Sequence, residues 1–174
     1  MNMTELRVGD QLIRFDRDAT ISMYWKVAEG DANSCACSGC RNFAQLRSKA
    51  YPAGFRDLLA TLGIDSSKES EAVYHGPKGD QHFYDVRFWF VGQLIETGEW
   101  SVKIGDEFQY WIGAAGPRSS TELGQNLAAV ECTAVIPWML RANDDRELSA
   151  QMAKAEEIMH RYRNTLRALA NTDR

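Results

Sequence analysis

Between residues 83 and 95 the apolar side chains fall on even positions, Tyr84, Val86, Phe88, Phe90 and Leu94, while Asp85, Arg87 and Gln93 take odd ones. A period of two places the two sets on opposite faces and predicts a half-buried strand. Residues 127–136 repeat the pattern through Ala128, Val130, Cys132, Ala134 and Ile136. Residues 100–104 and 107–112 flank Gly105-Asp106, which suits a tight hairpin turn. Nearer the start, residues 11–15 and 20–25 are rich in β-branched and aromatic side chains and are separated by Asp16-Arg17-Asp18, so they read as a hairpin. Val73-Tyr74-His75 begins a further strand ahead of the Gly76–Gly79 turn.

The period changes in two places. Phe55, Leu58, Leu59 and Leu62 recur at one-face helical spacing, with Pro52 suited to the first turn and Gly63 to a left-handed C-cap. Residues 41–48 form a shorter helix before it. At the other end, Asp144 and Glu147 make a capping box. Leu148, Met152, Ala155, Met159, Tyr162, Leu166 and Leu169 then alternate by four and three, which predicts a long C-terminal helix over about 144–170. Its stripe is expected to lie across the sheet or to form a homodimer seam. Together these elements predict an α+β fold, an antiparallel sheet of about five to seven strands with a short mid-chain helix pair and the long C-terminal helix. No internal repeat or low-complexity linker divides the 174 residues, so a single domain over 1–174 is expected.

Composition narrows the function classes. The chain is 44% hydrophobic and 25% charged, as a packed domain requires. Its formal net charge of -4 gives no global positive field, so nucleic acid is not the expected partner. The first residues lack the charged and apolar blocks of a secretory leader, and no apolar run reaches bilayer-spanning length. A cytoplasmic protein without membrane contact is expected.

Cysteine changes the picture most. Of four cysteines, three stand at Cys35, Cys37 and Cys40, within a loop over 29–40 rich in Gly, Asp, Asn and Ser. Such crowding is a poor disulfide framework, because a bridge needs a set Cα separation and torsion. Thiolates at C-x-C-x-x-C spacing can instead converge on one ion around a turn at Gly39, and soft sulfur suits zinc. A tetrahedral site needs a fourth ligand. His82 is the first candidate and His75 the second, since both flank the Gly/Pro turn. Cys132 ranks lower because it falls on the apolar face of a strand, and a water in the fourth position would make hydrolytic chemistry available. The acids Asp31, Asp80 and Asp85 read as solvated groups rather than acid–base catalysts.

The run Cys35-Ala-Cys37-Ser-Gly-Cys40-Arg-Asn42-Phe43, followed by Leu62-Gly63-Ile64-Asp65 and by Phe90-Val91-Gly92 after an aromatic stretch, is similar to an uncharacterised bacterial family with a C-x-C-x-x-C-x-N-F, L-G-I-D and F-V-G pattern. The resemblance covers the middle half of the chain and implies no activity. Members of that type carry a histidine before F-V-G where this chain has Trp89, which leaves His82 to serve alone. The expected function is a non-enzymatic, zinc-stabilised protein-interaction domain, with zinc on Cys35, Cys37, Cys40 and His82 and a protein partner. The alternatives are a thiol–disulfide oxidoreductase using Cys37 as nucleophile and Cys40 as resolving thiol, and a zinc-dependent hydrolase.

Overall fold

The computed structural model describes residues 3–98, 101–105, 108–114, 126–140, 153, 154 and 156. The chain divides into two compact units, Met1–Trp138 and Met139–Arg174, and the elements below belong to the first. In chain order they are β1 Met3–Val8, β2 Gln11–Asp16, α1 Arg17–Tyr24, α2 Asp31–Ser34, α3 Ser38–Ala50, α4 Ala53–Leu62, β3 Glu71–Lys78, β4 Gln81–Glu96, β5 Val102–Ile104, β6 Phe108–Ala114 and β7 Leu127–Pro137.

The seven strands form one sheet in the order β1-β2-β4-β7-β6-β5, with β3 on β4, and every pairing is antiparallel. The 16-residue strand β4 is its spine. Along one edge it pairs with β7 from Gln81 to Val91. Along the other it carries β3 and then β2. The even positions Tyr84, Val86, Phe88 and Phe90 are buried, as their period requires. Helices α3 and α4 supply the facing layer. Phe43 and Tyr51 meet Tyr84 and Phe88, and Phe55 meets Phe88, Phe108 and Tyr110, with ring centroids 4.9–6.5 Å apart. These are offset or edge-on aromatic contacts, which add to the area they bury.

This architecture corrects the α+β expectation. The fold is mostly a seven-stranded antiparallel sheet with four short helices, and among the described residues there is no long C-terminal helix. The stripe from Asp144 to Leu169 lies outside the described residues. The N-terminal hairpin is corrected as well, for a local reason. β2 pairs back onto β1 through Gly9, whose φ of 57° a turn there requires. Residues 17–24 are helix α1, where Asp16-Arg17-Asp18 was expected as a turn and residues 20–25 as a strand. Asp16 caps that helix by accepting from the Ala19 N–H at 2.9 Å. Thr20, Met23 and Tyr24 then fall on its buried face at helical spacing. Thr20 loses its strand preference because its hydroxyl is used twice, donating to the Asp16 carbonyl and accepting from the Val91 N–H. Helix α3 runs longer than the expected 41–48 and begins at Ser38, inside the cysteine motif, while α4 ends at Leu62 with Gly63 as its left-handed C-cap, as expected.

Candidate metal centre

The cysteine motif straddles two helix ends. Cys35 is the C-cap of α2 and Cys37 the N-cap of α3, where its sulfur accepts from the Cys40 N–H at 3.4 Å. Cys40 sits one turn into the helix, so all three thiols meet at the junction. Their sulfurs lie within 4.8 Å of one another. Those of Cys35 and Cys37 are 3.3 Å apart, and all are free thiols. Tetrahedral zinc, with Zn–S bonds of about 2.3 Å, sets its sulfurs about 3.8 Å apart. The observed cluster brackets that value, so the three residues fit one thiophilic ion with small movements of the thiols.

The tether of this junction explains why it folds there. Gly39 lies so close to Tyr74 of β3 that a Cβ would stand 2.6 Å from the ring. Its carbonyl accepts from the Tyr84 hydroxyl at 3.1 Å. Asn42, fully buried, donates its amide to the Tyr84 hydroxyl and to the Pro137 carbonyl, and Phe43 next to it is a core residue. Asn42 and Phe43 of the C-x-N-F run are therefore seats of α3 on the sheet. On the other side of the cysteines, Glu69 is buried at 1% exposure. It binds the Ala32 N–H at 3.0 Å and Arg47 at 2.7 Å, and its backbone carbonyl accepts from Asp31 N. The Asp31 carboxylate in turn accepts from Ala72 N of β3 at 3.0 Å. Burial pushes the Glu69 carboxyl up, against the pull of the Ala32 N–H and Arg47. Gly30 is required beside it, since a Cβ there would meet both Glu69 oxygens at 2.7 Å.

Burial is graded across the cluster: Cys37 is exposed, Cys35 intermediate and Cys40 buried. The Cys35 thiol is held below its ordinary value, first by the Cys37 backbone N–H and then by the Cys40 and Cys37 thiols. Burial raises the Cys40 thiol.

The proposed fourth ligands lie elsewhere. The Cys40 thiol points at the Ala72 carbonyl, 4.0 Å away, and Ala72 stands in register with Val86 and then with Cys132. Cys132 is therefore two strands across, about 10 Å. It is fully buried, which raises its thiol well above the ordinary value. His82 is two residues along β4 from Tyr84, whose hydroxyl binds the Gly39 carbonyl. It shares the helix-covered face but is not in the three-sulfur group. Its Nδ1 is 2.7 Å from the Tyr74 hydroxyl, and its ring packs on Tyr74 and Trp138. His75 is on the other face, its Nε2 2.7 Å from the Asp85 carboxylate, which also accepts from Thr133. Asp31 and Asp85 are thus bonded groups rather than merely solvated ones.

Glu69, Arg47 and Tyr74 escaped the sequence reading. Glu69 sits in a polar run with no periodic signal, and only the fold turns it inward.

Fold and site together define a mostly antiparallel sheet domain carrying a three-cysteine cluster compatible with metal binding. The chain matches no family model, no curated protein and no solved structure. Among the described residues no helix is long and apolar enough to cross a membrane.

Proposed function

We propose that this is a non-enzymatic metal-binding protein in which Cys35, Cys37 and Cys40 hold one thiophilic ion, zinc before others. The observation that carries this reading is the convergence of three sulfurs within 4.8 Å from two separate helix ends. An ion there ties α2 to α3 and supports a junction otherwise held by Glu69, Gly39 and Asn42. Its role is that of a staple which shapes the surface around Cys37 for a protein partner. His82 is left out of the ligand set, because its ring nitrogens are not in the group formed by the three sulfurs. Free thiols at this density suit a reducing compartment such as the cytoplasm.

Metal analysis of protein purified without chelator is expected to give about one zinc per chain, and Cys37→Ser or Cys40→Ser to remove it. Stably folded, metal-free protein whose exposed Cys37 thiol reacts freely would sink the proposal.

One observation favours a second reading. Cys37 is exposed at the N-cap of α3 and Cys40 buried one turn further in, the asymmetry of an attacking and a resolving thiol. In that reading Cys37 attacks a substrate disulfide, one substrate thiolate leaves, and Cys40 then displaces the other while a Cys37–Cys40 disulfide forms. Trapping a mixed disulfide on a Cys40→Ser variant would support it, and its absence with a reactive aromatic disulfide would remove it.

A further inference from the structure

We infer that the metal centre is an open one, whose fourth coordination position is filled from solution by a small-molecule thiolate. The inference rests on the three-sulfur reading above and concerns what that site takes up.

The inner side of the cluster is closed. Cys40 is 6% exposed and faces the Ala72 carbonyl. Gly39 leaves only 2.6 Å between a would-be Cβ and the Tyr74 ring, so no further side chain enters from the sheet. Asp31 bonds Ala72 N, His82 bonds Tyr74 and His75 bonds Asp85 through one side-chain atom each, and none of the three joins the sulfur group. Among the described residues, the cysteines alone form a group of ligand atoms within 4.8 Å. The outer side is different, because Cys37 is exposed there. An ion about 2.3 Å from each sulfur has its remaining position on that side.

Two features select the occupant. The position lies at the N-terminal end of the 13-residue helix α3, which favours a negative ligand. Three sulfurs already select a soft ion, which prefers sulfur to oxygen in the remaining place. The exchange needs no electron transfer: a bound water leaves, the incoming thiol binds through sulfur, and its proton passes to solvent.

Cobalt(II) is the probe that reads the sulfur count. The full chain, stripped and loaded with cobalt(II), is titrated with β-mercaptoethanol. Its thiolate-to-cobalt absorption is expected to rise by about one third, as three sulfurs become four. His82→Ala, His75→Ala and Cys132→Ala should leave the starting spectrum unchanged. A spectrum indifferent to β-mercaptoethanol, or altered by one of those replacements, overturns the open centre while leaving a metal site in place. Absence of any cobalt–thiolate absorption overturns both this inference and the reading beneath it.

Discussion

Gly39 and Tyr84 act on the cysteine cluster without belonging to it. Gly39 is needed because the α3 backbone presses on the Tyr74 ring, where a Cβ would find 2.6 Å. Gly39→Ala is expected to cost about 1–3 kcal/mol of stability through overpacking and to weaken metal binding in parallel. Thermal unfolding and metal titration of the same variant check both. Tyr84 gives a pH signature. Burial first, and then the neighbouring Tyr74 phenol and the Cys40 and Cys37 thiols, push its phenol from the ordinary 10.0 up to about 12, against the pull of Asn42. A raised folded-state value means that the unfolded chain releases this proton at lower pH than the folded one. Its stabilising contribution is thus complete below about pH 10 and is lost as pH rises toward 12. Unfolding free energy followed over that window should fall less steeply for Tyr84→Phe than for the parent chain. Equal slopes would show that the phenol is not protected.

At the scale of elements, α2 and α3 converge because Glu69 and Arg47 fasten them to the segment before β3. The pair is deeply buried, with the Glu69 side chain at 0% and Arg47 at 12% exposure. Removing one member leaves the other charge without its partner, so Glu69→Gln is expected to cost about 3 kcal/mol. The double replacement Arg47→Met with Glu69→Leu should cost much less than the two single changes summed, since no lone charge remains. Chemical denaturation of the four chains checks this, and strict additivity would remove the pair from the account. Neither residue was legible beforehand, since one acid and one base 22 positions apart become partners only when the sheet brings α3 over residue 69. The strands were far more legible. Their alternation is a local record of burial on one face, and β4 and β7 were readable to within a residue or two of their ends. Helix α1 was not, because its Thr, Ile and Tyr side chains favour strand. The cap at Asp16 and the Thr20 bonds decide otherwise.

For the whole molecule, the aromatic layer between sheet and helices does not depend on the cysteines. Phe43, Tyr51, Phe55, Phe88 and Phe90 are all buried at 0–1% exposure well inside it. Metal removal by a chelator is therefore expected to lower the unfolding midpoint without abolishing the folded state. An ion bound only to the native chain adds stability as the logarithm of one plus the ratio of its free concentration to its dissociation constant. Near-ultraviolet circular dichroism of the stripped protein should keep its aromatic signal. A collapse of that signal would make the metal a condition of folding rather than a staple.

By itself the sequence determined the sheet's spine, the buried face of α4 and the three-sulfur cluster. Each rests on residues close along the chain, where period or spacing carries the physics. Only the tertiary structure decided that residues 17–24 form a helix, that Asn42 and Glu69 seat the cysteine junction, and that His75 turns to Asp85 and His82 to Tyr74. Those outcomes depend on strand register and on which face a residue turns toward. A single step along a strand reverses the face, and each intervening strand adds about 5 Å. Spacing in sequence could name three cysteines that meet, whereas register in the sheet decided what surrounds them.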